Sequence, residues 1–168
     1  YFAGHSLGEY SALSCSEALN FADTLKILKS RGSAMQNAVP KGEGSMVAVL
    51  GADINKIEKI ILNNQEKYEC FIANDNSEGQ LVVSGGYNDI EKFIFDLKSN
   101  SIKNIKLPVS APFHCKLMRK ATETMKSQIN ELKFSEPKNI LISNVTAAEV
   151  NKPEMFKDLL ISQIESRV

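Results

Sequence analysis

Neither sign of charge dominates this chain. Its 168 residues carry 20 Lys and Arg against 20 Asp and Glu, for a formal net charge of zero. A chain without a net field has no long-range attraction for nucleic acid or an anionic membrane surface, so neither is an expected partner. No apolar run is long enough to span a bilayer. The three cysteines, Cys15, Cys70 and Cys115, are too few and too widely spaced for a disulfide framework or a zinc pattern. They read as reduced thiols, which points to the cytoplasm, and no metal is expected. Cys115 adjoins His114, but adjacent residues rarely face one another, so it reads as a small packing residue and not a nucleophile. The chain does not begin with Met, its first apolar stretch is only Tyr1-Phe2-Ala3, and Glu165-Ser166-Arg167-Val168 follows a helix-like run without a capping glycine. The expectation is a piece of a longer domain, truncated at both ends.

What is present is concentrated at the start. Gly4-His5-Ser6-Leu7-Gly8 is a G-x-S-x-G pattern, preceded by apolar residues and followed by a helix-like run from Glu9 to Leu13. The glycines allow a sharp reversal where a Cβ at either site is expected to crowd the turn. Such an elbow lifts a serine hydroxyl to a helix N-terminus, where free N–H groups and the helix dipole stabilise negative charge. Its natural chemistry is covalent acyl transfer, with Ser6 as nucleophile and the Leu7 N–H as one donor to the oxyanion. The plainer reading is a tight turn with an exposed serine.

A serine hydroxyl needs a base, and imidazole suits that task at neutral pH. His5 is next to Ser6, so its ring should point away from the hydroxyl. His114 closes a distant strand-like segment and is the better base, although a helix-start histidine in an ordinary polar role fits the pattern equally well. No Asp presents itself as acceptor for its second ring nitrogen. Gln163 falls on an apolar helix face, and a buried amide needs partners. A main-chain or amide oxygen nearby would orient His114; otherwise Gln163 caps some unrelated backbone group.

Along the chain, Asn20 is a good N-cap for a helix whose apolar stripe is Phe21, Leu25, Leu28, Gly32 and Met35. Arg31 then lies at the flank of the buried face and reads as a snorkelling surface cation. After a linker at Lys41–Ser45, Met46–Leu50 reads as a strand, Asp53 caps a helix with Ile57, Ile60 and Ile61, and Cys70–Ala73 reads as a strand. Asn74–Gly79 reads as a turn and Leu81–Val83 as a strand closed by Gly85-Gly86. Asn88 and Glu91 form a capping box for a helix, and Ile105, Leu107 and Val109 alternate as a last strand. This β-α-β-β-α-β order is the split, ferredoxin-like arrangement. Residues 46–107 thus form a lobe inserted between 1–45 and 108–168. In the second flank, Ser110–His114 leads to a helix through Leu117, Met118, Ala121, Met125 and Ile129. Asn139–Val145 reads as a strand, and Pro153 opens a final helix with Phe156, Leu159, Leu160, Gln163 and Ile164 on one side.

Several separate motifs agree with one family. Gly4-His5-Ser6-Leu7-Gly8-Glu9-Tyr10, Arg31-Gly32 with Met35-Gln36, Ala73-Asn74-Asp75-Asn76-Ser77 through Gly79-Gln80, Pro112-Phe113-His114, Ser143-Asn144-Val145-Thr146 and Gln163 occur in that order. In this the chain resembles, over its whole length, the malonyl-CoA:acyl-carrier-protein transacylases of type II fatty-acid synthesis, relatives of polyketide acyltransferase domains. The resemblance implies an α/β fold: an α/β-hydrolase-like core interrupted by a ferredoxin-like subdomain, with the site between them. It implies Ser6 as acyl acceptor, His114 as base and Arg31 as holder of the malonyl carboxylate. It further implies Gln163 as support for His114, largely through its main-chain carbonyl, and the Leu7 N–H as oxyanion donor. Phe113, beside the base, would limit room for a branched acyl group. The expected substrates are malonyl-CoA and the phosphopantetheine thiol of acyl carrier protein, with no bound cofactor. The family's second oxyanion donor, a glutamine in a Gly-Gln-Gly type motif upstream of the elbow, lies outside this chain, which leaves its activity by itself open. Two other readings stand beside this one: a serine hydrolase of the thioesterase or lipase type, and a non-catalytic fragment that docks carrier protein.

Overall fold

Alternation of apolar residues in the middle of the chain builds an antiparallel sheet. A computed structural model describes residues 1–168. Strands β1 (Gly44–Leu50), β2 (Cys70–Ser77), β3 (Gln80–Gly86) and β4 (Lys103–Lys106) form one sheet in the order β2-β3-β1-β4. Helix α3 (Ile54–Leu62) connects β1 to β2, and α4 (Tyr87–Ser99) connects β3 to β4. Side chains alternate across each strand, so Val47, Val49, Leu81 and Val83 face the helices and pack with Ile57, Ile90, Phe93 and Leu97. The opposite face carries Met46, Ala73 and Val82, which meet Leu107, Val109 and Phe113. That second face looks toward the serine elbow.

The flanking segments pack together around a separate apolar cluster. It joins α1 (Leu7–Cys15), α2 (Phe21–Gln36), α5 (Arg119–Glu131) and α6 (Pro153–Gln163), with Tyr10, Leu13, Met118, Met125, Ile129 and Leu160 almost fully enclosed. Phe2 donates to the Ile140 carbonyl at 2.8 Å and accepts from the Ile142 N–H at 3.0 Å, a parallel bridge that seats the elbow beside β5 (Leu141–Ile142). β5 also pairs antiparallel with β6 (Glu149–Val150). The result is a mixed α/β fold, and no helix is long and apolar enough to cross a membrane.

Several sequence expectations are corrected. The buried face of α2 is Thr24, Ile27, Arg31 and Met35, while Phe21 and Leu25 are exposed. Polar residues occupy the inner face because each has a partner: the Thr24 hydroxyl returns to the Asn20 carbonyl at 2.9 Å, and Arg31 is hydrogen-bonded within the site. Arg31 is therefore enclosed, not a flanking surface cation. Strand β2 runs through Asn74 to Ser77, with irregular register that admits its polar residues, and only the two residues after it turn. The Asn88–Glu91 capping box does not form. Gly86 is the N-cap, the Tyr87 N–H is taken by the Glu43 carbonyl at 2.8 Å, and Glu91 pairs instead with Lys106. The strand expected over 139–145 is two residues long, and β6 was not anticipated. β4 stops at Lys106, short of Leu107 and Val109. By contrast, Asn20 caps α2 by accepting from the Asp23 N–H, Asp53 caps α3 from the Asn55 N–H, and Pro153 opens α6.

Candidate active site

The elbow is a strained turn with one steric requirement. A Cβ on Gly4 would overlap the Gly8 carbonyl, whereas nothing lies near the position of a Cβ on Gly8. Only the first glycine is demanded by space, and the expectation for Gly8 is corrected. Ser6 has φ 55° and ψ −107°, a conformation that costs on the order of 1–3 kcal/mol and persists only when its surroundings enforce it. Directly after it, the Leu7 N–H opens α1 and no backbone carbonyl accepts it, as expected for the first turn of a helix.

His114 sits on a second left-handed position, φ 57°. Its Nε2 is 2.7 Å from Ser6 Oγ, and its Nδ1 is 2.9 Å from the Gln163 main-chain carbonyl. A carbonyl only accepts, so Nδ1 carries the proton and Nε2 offers its lone pair to the serine. Burial is the main cause that lowers the His114 pKa to about 4; the Gln163 carbonyl opposes it, and the charges of Arg31 and His5 add to it. The ring is thus neutral at pH 7. Its turn is braced from the sheet by the Ser84 hydroxyl, which donates to the Phe113 carbonyl at 2.6 Å. The Cys115 thiol donates to Pro112 O at 3.1 Å, and burial pushes its pKa up to about 11. It is almost fully buried and packs in the interior.

Arg31 completes the group. Its Nη2 donates to Ser6 Oγ at 3.0 Å and to Gln163 Oε1 at 2.9 Å, and the guanidinium lies 5.6 Å from the Tyr10 ring centroid. The Gln163 amide nitrogen donates in turn to Glu9 Oε2 at 2.6 Å, to the Ser6 carbonyl at 3.0 Å and to Asn144 Oδ1 at 3.2 Å. Gln163 therefore serves the site twice: its main chain accepts from His114, and its side chain links a buried carboxylate to a buried guanidinium. Burial raises the Glu9 pKa, opposed by the Gln163 and Asn144 hydrogen bonds and by Arg31. Burial likewise lowers that of Arg31, which stays charged because a guanidinium is so strong a base.

Ser6, Leu7, Arg31, Met35, Phe113 and His114 all border one cavity of about 410 Å³, within the ordinary range for a small-molecule site. A larger cleft of about 580 Å³ touches His114 and Cys115 from the α3–β2 side, but neither Ser6 nor Arg31 reaches it. The His5 ring points to the Asn74 side chain, 3.3 Å away, and leaves the hydroxyl to His114. Sequence reasoning overlooked Glu9, Asn144 and Ser84 as parts of the site. Glu9 was legible in principle, since it lies three residues from Ser6 on a helix face that also buries Tyr10 and Leu13. Ser84 had no local signal at all.

The whole chain, residues 1–168, matches the family described as Acyl transferase domain. It is 36% identical over 167 residues to the malonyl CoA-acyl carrier protein transacylase of Salmonella typhimurium strain LT2, covering 99% of this chain and 54% of that protein. It is 39% identical to the protein of the same name from Staphylococcus aureus strain MRSA252, covering 98% and 54%. Among solved structures, the malonyl CoA-acyl carrier protein transacylase of Coxiella burnetii superposes with a TM-score of 0.95 at 37% identity, over 99% of this chain and 53% of that one. The chain thus spans about half the length of the curated relatives it matches. With every residue inside the match and the same backbone recurring in a solved relative, this chain belongs to the acyl transferase domain family.

Proposed function

We propose that this chain carries the acyl-transfer site of a malonyl-CoA:acyl-carrier-protein transacylase. In this reading residues 1–45 and 108–168 are part of an α/β-hydrolase-like core, and residues 46–107 are an inserted ferredoxin-like subdomain. The β-α-β-β-α-β order and the strand order β2-β3-β1-β4 support that division. The protein works in the cytoplasm on thioester substrates and keeps no bound cofactor.

Ser6 Oγ attacks the malonyl thioester carbonyl while His114 Nε2 takes its proton. The Leu7 N–H donates to the oxyanion. Collapse of the tetrahedral intermediate breaks the C–S bond, and the imidazolium returns the proton to the departing coenzyme A sulfur. Burial, which disfavours the charged imidazole, assists the return of that proton. The phosphopantetheine thiol of acyl carrier protein then gives its proton to His114 and attacks the malonyl-serine ester; the C–O bond breaks, and His114 returns the proton to Ser6 Oγ, which regenerates both residues. Arg31 grips the free malonyl carboxylate throughout; a charge-assisted bond of that kind contributes about 1.5–3 kcal/mol. Gln163 orients His114 through its carbonyl, and Phe113 narrows the acyl pocket.

One observation carries the reading: the Ser6 hydroxyl lies within hydrogen-bond distance of both an imidazole, at 2.7 Å, and a guanidinium, at 3.0 Å. A serine hydrolase needs the first and has no use for the second. The relatives' names, which join malonyl CoA to acyl carrier protein, support the same substrates. The test is incubation with malonyl-CoA, location of the adduct by mass spectrometry, and addition of carrier protein. A malonyl group on Ser6 that moves to the carrier thiol is expected. Release of free malonate instead would identify a hydrolase, and carrier binding without any acyl-serine would identify a docking fragment.

A further inference from the structure

We propose that Asn144 is a positioning residue for the nucleophile: its side-chain amide spans the strained elbow and aligns the Ser6 hydroxyl with the Leu7 N–H. The inference rests on the acyl-transfer reading of the site and adds to it a residue that touches neither acyl group nor base. Asn144 Oδ1 accepts from the Ser6 N–H at 2.7 Å, and its Nδ2 donates to the Gly4 carbonyl at 2.8 Å. Those two backbone groups flank the turn on either side, and neither has a backbone partner. One amide thereby satisfies both, as a neighbouring strand would if the elbow could accommodate one.

The clamp is itself held. Oδ1 also accepts from Gln163 Nε2 at 3.2 Å, and the Asn144 N–H points to Glu9 Oε1 at 3.4 Å. The turn that carries it is closed by the Ala147 N–H on the Ser143 carbonyl at 2.9 Å and leaves directly from β5, the strand that Phe2 bridges. Elbow and clamp therefore start from adjacent backbone, and their spacing is set by that bridge. The ψ of Ser6, −107°, orients the Ser6–Leu7 peptide plane and with it the Leu7 N–H. Without the clamp that plane is held only through the Ser6 carbonyl, by the Gln163 amide at 3.0 Å and the Glu9 N–H at 3.1 Å, and the N–H side of the turn is free to shift. The hydroxyl and the N–H then cease to converge on one carbonyl, while Arg31 and the cavity stay as they were. A displacement of about 1 Å in such an arrangement costs on the order of 100-fold in rate.

The test compares wild type with Asn144→Ala in two assays: single-turnover acylation by malonyl-CoA, and labelling by a serine-directed fluorophosphonate. The expected result is a rate constant lower by about 10- to 100-fold in both. KM for malonyl-CoA stays within about twofold, since binding is unaltered, and the final extent of labelling is preserved. Asn144→Asp keeps the acceptor for the Ser6 N–H, loses the donor to Gly4, and falls between the two; it serves the same comparison if the alanine variant does not fold. Unchanged rate constants, or a loss wholly in the final extent of labelling, would overturn the proposal in favour of a purely structural asparagine. If wild type reacts with the fluorophosphonate but takes no malonyl group, the substrate reading fails while the probe still decides the clamp. If wild type reacts with neither, both fall.

Discussion

Arg31 Nη2 lies 3.0 Å from Ser6 Oγ, so the residue read as carboxylate holder also touches the nucleophile. A carboxylate bound by this guanidinium is delivered directly beside the attacking oxygen. Arg31→Ala is expected to lower kcat/KM for malonyl-CoA at least about 10- to 100-fold more than for acetyl-CoA, the equivalent of one charge-assisted bond. Parallel measurements of both thioesters check this; equal losses would exclude a carboxylate clamp.

The pH dependence follows from His114. Its pKa is lowered from 6.5 to about 4, chiefly by burial. The base is therefore neutral through the mildly acidic range, and acylation should titrate with an apparent pKa near 4 and not near 6.5. A limb near 6.5 in the pH–rate profile of acyl-enzyme formation would contradict the buried-base assignment. Stability follows the same linkage. A histidine whose folded pKa is depressed favours the folded state fully above pH 6.5, and that contribution is lost as pH falls from 6.5 to about 4. The loss is of the order of 3 kcal/mol, readable as a falling urea midpoint. Glu9, whose pKa is raised, works in the opposite direction, because its burial is relieved on protonation.

Gln163→Ala separates the two services of that residue. The main-chain carbonyl that accepts from His114 is retained, while the amide between Glu9 and Arg31 is removed. A buried carboxylate and guanidinium each lose a hydrogen-bond partner, and stability should drop by about 1–3 kcal/mol. Chemical denaturation reads that loss. Serine labelling by a fluorophosphonate should survive in the folded fraction, and its disappearance there would show that the side chain, too, orients the histidine.

The two glycines of the elbow should behave differently. Gly4→Ala drives a methyl into the Gly8 carbonyl and should abolish the elbow or the fold. Gly8→Ala meets open space on a helix and should be neutral or stabilising by up to about 1 kcal/mol. Thermal melts of both variants decide this; equal damage would mean that Gly8 is needed for some reason other than space.

Local chemistry was legible where a short motif needs only its neighbours. The elbow follows from Gly4, Ser6 and the helix after it, and the caps at Asn20 and Asp53 from one polar side chain each. The lobe's order of elements follows from alternating apolar runs. The α2 face was misread because counting apolar residues gives no weight to a polar side chain with partners elsewhere. Thr24 and Arg31 take the inner face, and Phe21 and Leu25 the outer. The short β5–β6 pair escaped notice because two-residue strands leave no period to detect.

By itself the sequence determined which reactive groups exist: one serine on a glycine turn, two imidazoles, an arginine and an amide on helices. It also determined, by neighbour geometry, that His5 should not serve Ser6. Only the tertiary structure decided that His114, 108 residues away, reaches the hydroxyl, and that a carbonyl on α6 fixes its tautomer. It alone decided that Glu9, Asn144 and Gln163 form one network beneath the turn. Hydrogen bonds between residues so far apart depend on how whole helices and strands pack, and no spacing along the chain encodes that distance.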